Sequence, residues 1–284
     1  MRFDISHSIR YSYSAPVFIE PMTVRLRPRC NWSQQLEEFE LHVTPDPAGM
    51  SHHLDIDSNN ATTLWCNGLH RSLDIDARSV VLVPPADPFK YVVTDEGALR
   101  LPVTYGSSYS RFLEPYCTPL HRSSLLKEFI DPVLRRSKQE TTSFLVDLAV
   151  ETHEHLDNEP RETGGPMTPD ETLALGKGAC RDLAVLYMEA CRSLGLAARF
   201  VSGYGYSEDV DPLGKRHTHA WAEVYLPGAG WRGFDPSIGL AVEGQHVAVA
   251  AAADPANAAP MSGTFRGSGV QSTIEYNVSI RCQP

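Results

Sequence analysis

The stretch GKGACRDLAVLYMEACRSLG, residues 176–195, sets Cys180 at the head of a segment with helical spacing. A thiolate at a helix N-terminus is favoured by the macrodipole and by free backbone N–H groups, which lower a cysteine's pKa toward neutrality. A nucleophilic cysteine also needs a base to take its proton and a third group to orient that base. Downstream, HTHAWAEVYLPGAGWRGFDPS supplies both: His219 heads one predicted strand, Asp235 ends the next, and PGAG between them is a turn. If the strands form a hairpin, the carboxylate sits beside the imidazole, accepts Nδ1–H and leaves Nε2 to face the sulfur. The ordinary alternatives are a small buried thiol, a structural histidine and an Asp-Pro turn former. Cys191, three helical turns after Cys180 on the apolar face, is expected to be an inert core thiol.

Other chemical candidates are weaker. Asp182 falls in the first turn of the Cys180 helix, where a carboxylate suits the macrodipole but opposes a nearby thiolate, so it is read as structural or as a lip of the cleft. His217 and His219 share a strand face and could ligate zinc with Cys180, but no fourth ligand is evident. DIDSNNATTLWC begins like a calcium loop; Asn60 stands at its sixth position in place of Gly and Cys66 at its twelfth in place of Glu, so it reads as a turn. His153, His155, His52 and His53 fit no metal motif and are expected to face solvent. No metal or cofactor is expected.

The elements that must position Cys180, His219 and Asp235 follow from periodicity. With 42% apolar residues, 9% aromatics and a formal net charge of −10, the chain can fill real cores and lacks the overall basic character of a nucleic-acid or anionic-membrane partner. Its six cysteines form no CxxC pair and do not read as a disulfide framework, and no apolar run approaches membrane-spanning length. With no N-terminal apolar region visible either, a cytoplasmic location is expected.

Alternation at Phe3, Ile5, Ile9, Tyr11 and Tyr13, then at Met22, Val24 and Leu26, at Phe39, Leu41 and Val43, and at Leu73, Ile75 and Ala77, predicts an antiparallel β-sandwich. A Pro- and Gly-rich connector follows, which sets a boundary near residue 105, with one unit at 1–105 and another at 106–284. Helical spacing then takes over. Leu126, Phe129, Ile130 and Val133 share a face, with Pro132 expected to bend or end that helix, and Phe144, Leu145, Leu148 and Ala149 share another. Thr168, Pro169, Glu171 and Gly176 spell a capped short helix ending just before Cys180. AARFVSGYGY, HAWAEVYLPG and WRGFDPS read as successive strands, AVAAAADPANAAP as a surface helix turn or loop, and the final segment as further strands.

GKGACRDLA, THAWAEVYLPGAGWRGFDPS and GTFRG, together with ISHSIRYSYSAPVFIEPMTVRLRPR at the start, resemble the bacterial transglutaminase-like family of cysteine peptidases. The resemblance implies an α+β fold: an antiparallel β-sandwich domain followed by a papain-like, transglutaminase-like core of helices on an antiparallel sheet, with the nucleophile at a helix N-terminus. It makes Cys180 the nucleophile, His219 the general base and acid, and Asp235 the orienter. Ser237 stands where that family commonly has Thr. The implied function is cysteine-dependent acyl transfer on a peptide or protein substrate or a glutamine-type amide, with hydrolysis favoured over protein crosslinking. A non-catalytic peptide-binding or assembly module on the same fold is the alternative of another class. The oxyanion hole would join the nucleophile's own N–H to an upstream side chain that the sequence does not single out. The SEDVDPLGKRHT segment, 207–218, is the expected substrate-facing flap, and the β domain is expected to wall the cleft or present the substrate.

Overall fold

The computed structural model describes residues 1–161, 164–206 and 218–283, so the expected flap and His217 lie outside the described residues apart from Thr218. Alternating apolar residues extend the first part into β1 (Arg2–Ile19), β2 (Met22–Val24), β3 (Gln35–Thr44), β4 (Gly49–Leu54), β5 (Asn60–Trp65) and β6 (His70–Leu82). β1, β6 and β3 lie in one antiparallel sheet, and β2, β5 and β4 in another. Ile9, Val17, Met22, Leu64, Leu73 and Ile75 from the two sheets share one core, which is the expected sandwich. Asp55 closes the β4–β5 turn by accepting from the N–H groups of Asp57 and Asn59, so the calcium-like segment is a turn.

After the connector come α1 (Ser107–Cys117), α2 (Ser124–Arg136), α3 (Thr141–His155), β7 (Asp157–Asn158), α4 (Pro169–Leu175), β8 (Lys177–Gly178) and α5 (Cys180–Ser193). α2 runs through Pro132 instead of ending there. Ile130 and Val133, buried on either side of the proline, hold the helix in place despite the missing N–H. α4 ends as its sequence signals: Thr168 and Glu171 form the capping box, and Gly176 adopts the left-handed φ of 66°. α5 is buried along nearly its whole length, with Leu183, Leu186, Tyr187, Ala190 and Cys191 wholly inaccessible.

α5 packs on an antiparallel sheet of β9 (Ala198–Gly205), β10 (Thr218–Leu226), β11 (Gly230–Asp235), β12 (Leu240–Ala241) and β13 (His246–Ala252), in the order β12-β11-β10-β9-β13. β13 corrects the reading of the alanine-rich segment as a surface loop: Val247, Val249, Ala250, Ala251 and Ala252 are buried, and the 3-10 turn comes only at Pro255–Ala258. Alanine carries almost no strand signal of its own, so tertiary pairing decides its state. β13 is an edge strand whose outer backbone groups are taken up by amide side chains of the sandwich. Gln34 bonds both the N–H and the C=O of Ala248, and Asn59 does the same for Ala251.

The chain ends in β14 (Met261–Ser262), β15 (Phe265–Arg266) and β16 (Ser272–Gln283), which return to the sandwich: β14 pairs with β2, and β15 and β16 with β1. The register runs from Arg2 opposite Gln283 to Tyr13 opposite Ser272. The unit expected at 106–284 therefore gives its last strands to the first sheet. Phe3, Ile5, Val81, Tyr204, Val247 and Ile280 form a further core where the sandwich meets the second sheet.

His7 of β1 sits at that junction, 3% exposed, with Nδ1 3.0 Å from the Tyr204 hydroxyl. Burial lowers its pKa from 6.5 to about 4. The unfolded chain binds this proton where the native state does not, so stability is intact above pH 6.5 and declines from there toward pH 4, by on the order of 3 kcal/mol. His7→Asn keeps a polar group near Nδ1 but cannot titrate, and urea denaturation across this range should show a flatter acid decline than in wild type. Parallel declines would remove His7 as the cause.

Candidate active site

The β10–β11 hairpin pairs Ala222 with Phe234, which places His219 diagonally from Asp235 on one face of the sheet. Diagonal neighbours stand about 7–8 Å apart at Cα, so the far nitrogen of the imidazole bridges the gap. Nε2 of His219 lies 2.5 Å from Oδ2 of Asp235. This reverses the orientation expected from sequence, in which Nδ1 faced the carboxylate. The Cys180 thiol is a close electrostatic neighbour that favours the charged ring, and with Nε2 committed to Asp235, Nδ1 is the nitrogen left to serve sulfur. Gly205 on β9 makes the position possible, because a Cβ there would stand 3.0 Å from the ring's Cδ2.

Asp235 is wholly buried and accepts four hydrogen bonds. Oδ1 takes the Ser237 N–H at 3.0 Å and the Ser237 hydroxyl at 2.7 Å. Oδ2 takes His219 and also Nε2 of His246, at 2.9 Å. Burial by itself would raise the carboxyl's pKa. The charge and hydrogen bond of His219, followed by those of His246, outweigh it and hold Asp235 well below the usual carboxylate range. For His219, burial opposes the charged ring, but the Asp235 carboxylate and then the Cys180 thiol raise it to about 10.

Cys180 is the first residue of α5 and is partly exposed. The loop before it is fixed by Asp182, which proves structural. Oδ2 accepts from the Ala179 N–H at 2.8 Å, and Oδ1 accepts from Met167 N–H at 2.8 Å and from Arg161 at 2.7 Å. Gly178 is needed for this cap, since a Cβ there would come within 2.8 Å of the Asp182 Cβ. Of the other cysteines, Cys191 is fully buried, its thiol pushed up by burial, and Cys117 is raised to about 11 by the same cause. All six cysteines are free.

Cys180 and His219 open onto two cavities. The larger, about 500 Å³, is mainly apolar, with Val185, Met188, Phe200 and Tyr204 in its wall, and the sandwich contributes His7, Arg25 and Leu26 to its lining. The smaller, about 250 Å³, includes Asn158 and Tyr276. Asn158 pairs in parallel with Gly178 across the short β7–β8 ladder, which brings it beside the loop that leads into Cys180.

His219, Asp235 and His246 together form a set of residue types that could hold a metal ion. Donor atoms around a tetrahedral zinc stand about 3.3 Å apart. The 2.5 and 2.9 Å contacts to one carboxylate oxygen are hydrogen-bond distances, and the set is a proton network. No spacing in the sequence singles out His246, which precedes an alanine-rich run. Ser237, which stands where the family commonly has Thr, supplies the donor hydroxyl that the carboxylate uses. His153, expected to face solvent, is exposed but also contacts the Ser237 carbonyl through Nδ1 at 3.0 Å.

Residues 3–82 match the bacterial transglutaminase-like N-terminal region, and residues 128–236 match the transglutaminase-like superfamily. The chain belongs to this transglutaminase-like family. An uncharacterized protein of Mycobacterium tuberculosis is 27% identical over 98% of this chain and 92% of its own length. One from Mycobacterium leprae is 26% identical over 94% of each. The same fold occurs in the crystal structure of a candidate cysteine protease from Cytophaga hutchinsonii, with a TM-score of 0.73 and 19% identity over 100% of this chain and 92% of that one.

Because His219 rises from 6.5 to about 10 on folding, its pairing contributes stability that is complete below pH 6.5 and is lost as the pH climbs toward 10. The stability gap between wild type and His219→Gln, read by urea denaturation, should therefore narrow across pH 6.5–10. A constant gap would contradict the ion pair.

Proposed function

We propose that the protein is a cysteine-dependent acyl-transfer enzyme acting on peptide or glutamine-type amides, chiefly as a hydrolase. The observation that carries this reading is the placement of His219 between the Cys180 thiol and a buried carboxylate. Cys180 Sγ attacks the amide carbonyl carbon while the carbonyl oxygen takes up negative charge beside the free N–H groups that begin α5. His219, protonated on receiving the thiol's proton, passes it to the leaving amine, the C–N bond breaks, and a thioester remains on Cys180. Water then gives a proton to His219 as its oxygen attacks the thioester. Thiolate leaves, the acid is released, and the proton returns to the Cys180–His219 pair. Asp235 keeps His219 in place throughout.

Hydrolysis is favoured because two cavities meet at Cys180 and His219, which suits entry of water to the thioester. A crosslinking enzyme must instead exclude water while admitting a second amine. The apolar wall of the larger cavity suits a peptide segment, and the sandwich residues in its lining give the N-terminal domain a part in substrate binding.

Alkylation of each cysteine, followed by mass spectrometry against pH, tests the activation of Cys180. Cys180 should be alkylated much faster than Cys191 at neutral pH, and His219→Ala should remove most of that advantage. Equal reactivity of the two cysteines, unchanged by the substitution, would remove the catalytic reading. Glutamine peptides offered with a fluorescent primary amine should release acid or ammonia in excess of labelled adduct, and the reverse ratio would make the protein a crosslinking enzyme.

We assign the side-chain oxyanion donor to Asn158, whose amide can donate and whose strand runs beside Gly178. Asn158→Ala should lower kcat by about 10²-fold with little change in KM or in Cys180 alkylation. An undiminished kcat would exclude this role.

A further inference from the structure

We infer that His246 is a positioning residue of the reaction, donating its Nε2–H to the same Asp235 oxygen that orients His219 and so dividing that carboxylate between two imidazoles. The inference rests on the catalytic reading above and names a member that neither the triad nor the family resemblance supplies.

The hydrogen-bond inventory leaves one arrangement of protons. An ionised carboxylate only accepts, so both rings facing Oδ2 must carry hydrogen on Nε2. Ser237 fills Oδ1 with two donors, and the two imidazoles fill Oδ2. The carboxylate is therefore saturated and cannot rotate without breaking several bonds at once. The His246 side chain is only 7% exposed, its ring meets Trp221 edge-on at 5.1 Å, and Nδ1 has no partner among the described residues. The one polar contact that this ring makes among the described residues is thus the one to Asp235. His246 pairs with Gly205 across β9–β13, and the two imidazoles lie 5.6 Å apart over this glycine. The absent side chain that admits the His219 ring also brings the rings within reach of one oxygen.

The division of charge has a kinetic meaning. A carboxylate serving one imidazolium raises that ring's pKa more than one shared between two, which makes the ring a weaker acid toward a leaving amine. A second donor draws off part of that charge, so His219 stays oriented while its proton remains available. Other charged or titratable groups near the cluster are Cys180 and Arg181 on α5, Arg161 ahead of it, Tyr276 on β16 and, beside Ser237, His153 on α3. The donors on Asp235 are Ser237, His219 and His246, and His246 is the second imidazole on the carboxylate.

The test uses the full chain with ¹⁵N-labelled histidines, as wild type, His246→Phe and His246→Gln. Phe keeps a planar ring without a donor, and Gln restores an N–H near the Nε2 position. Long-range ¹H–¹⁵N spectra of wild type should show hydrogen on Nε2 of both His219 and His246. In His246→Phe the His219 titration should move up by about half a pH unit or more, and kcat on a peptide amide should fall about tenfold with KM nearly unchanged. His246→Gln should recover most of both. A bare Nε2 on His246, or a His219 titration unmoved in His246→Phe, would overturn the inference. If His246→Phe does not fold, the wild-type spectrum and His246→Gln against His246→Leu decide in the same way. A wild type that turns over no amide would defeat the proposed function, while the spectra would still judge the link between His246 and His219.

Discussion

The buried carboxylate of Asp235 is the constraint around which the candidate site is organised. Removing an ionised group from water is costly unless its oxygens are fully hydrogen-bonded, and here the donors come from three separate places: the turn at Ser237, β10 and β13. That need ties the sheet's register to the chemistry. A one-residue slip of β10 would turn His219 to the other face and leave the charge short of a donor.

The edge strand β13 extends the same dependence to the N-terminal sandwich. Its alanines have little intrinsic reason to be extended, yet Gln34 and Asn59 complete its outer hydrogen bonds much as another strand would. The returning β16 then fastens the end of the chain along β1. The sandwich is thus a structural partner of the site: it supports the strand that presents His246 and contributes His7, Arg25 and Leu26 to the lining of the larger cavity.

On the other side of Cys180, a second buried carboxylate plays a purely structural part. Asp182 gathers the loops before α5, and Gly178 gives it room, so the glycine beside Cys180 serves the cap as much as any substrate. The two acids illustrate how environment separates roles: Asp182 bonds backbone and a guanidinium, whereas Asp235 bonds rings that can carry a proton.

Local pattern made much of this legible. Alternation in β1, β3 and β6, the caps of α4, the apolar face of α5 and the β10–β11 turn are short-range signals, and they carried Cys180, His219 and Asp235 with them. The sequence was silent where geometry over longer range decides. Which imidazole nitrogen meets Asp235 follows from a diagonal cross-strand distance. Pro132 remains within a helix because buried neighbours hold it there. The alanine-rich β13 is a strand only because β9 and two amide side chains pair with it, and the last strands join the first sheet through contacts spanning the whole chain. The sequence by itself determined which residue types and elements are present, since propensity and periodicity act between near neighbours. Only the tertiary structure decided that His246 and Ser237 complete the carboxylate's hydrogen bonds, because saturating a buried charge depends on which distant groups the fold brings within about 3 Å of it.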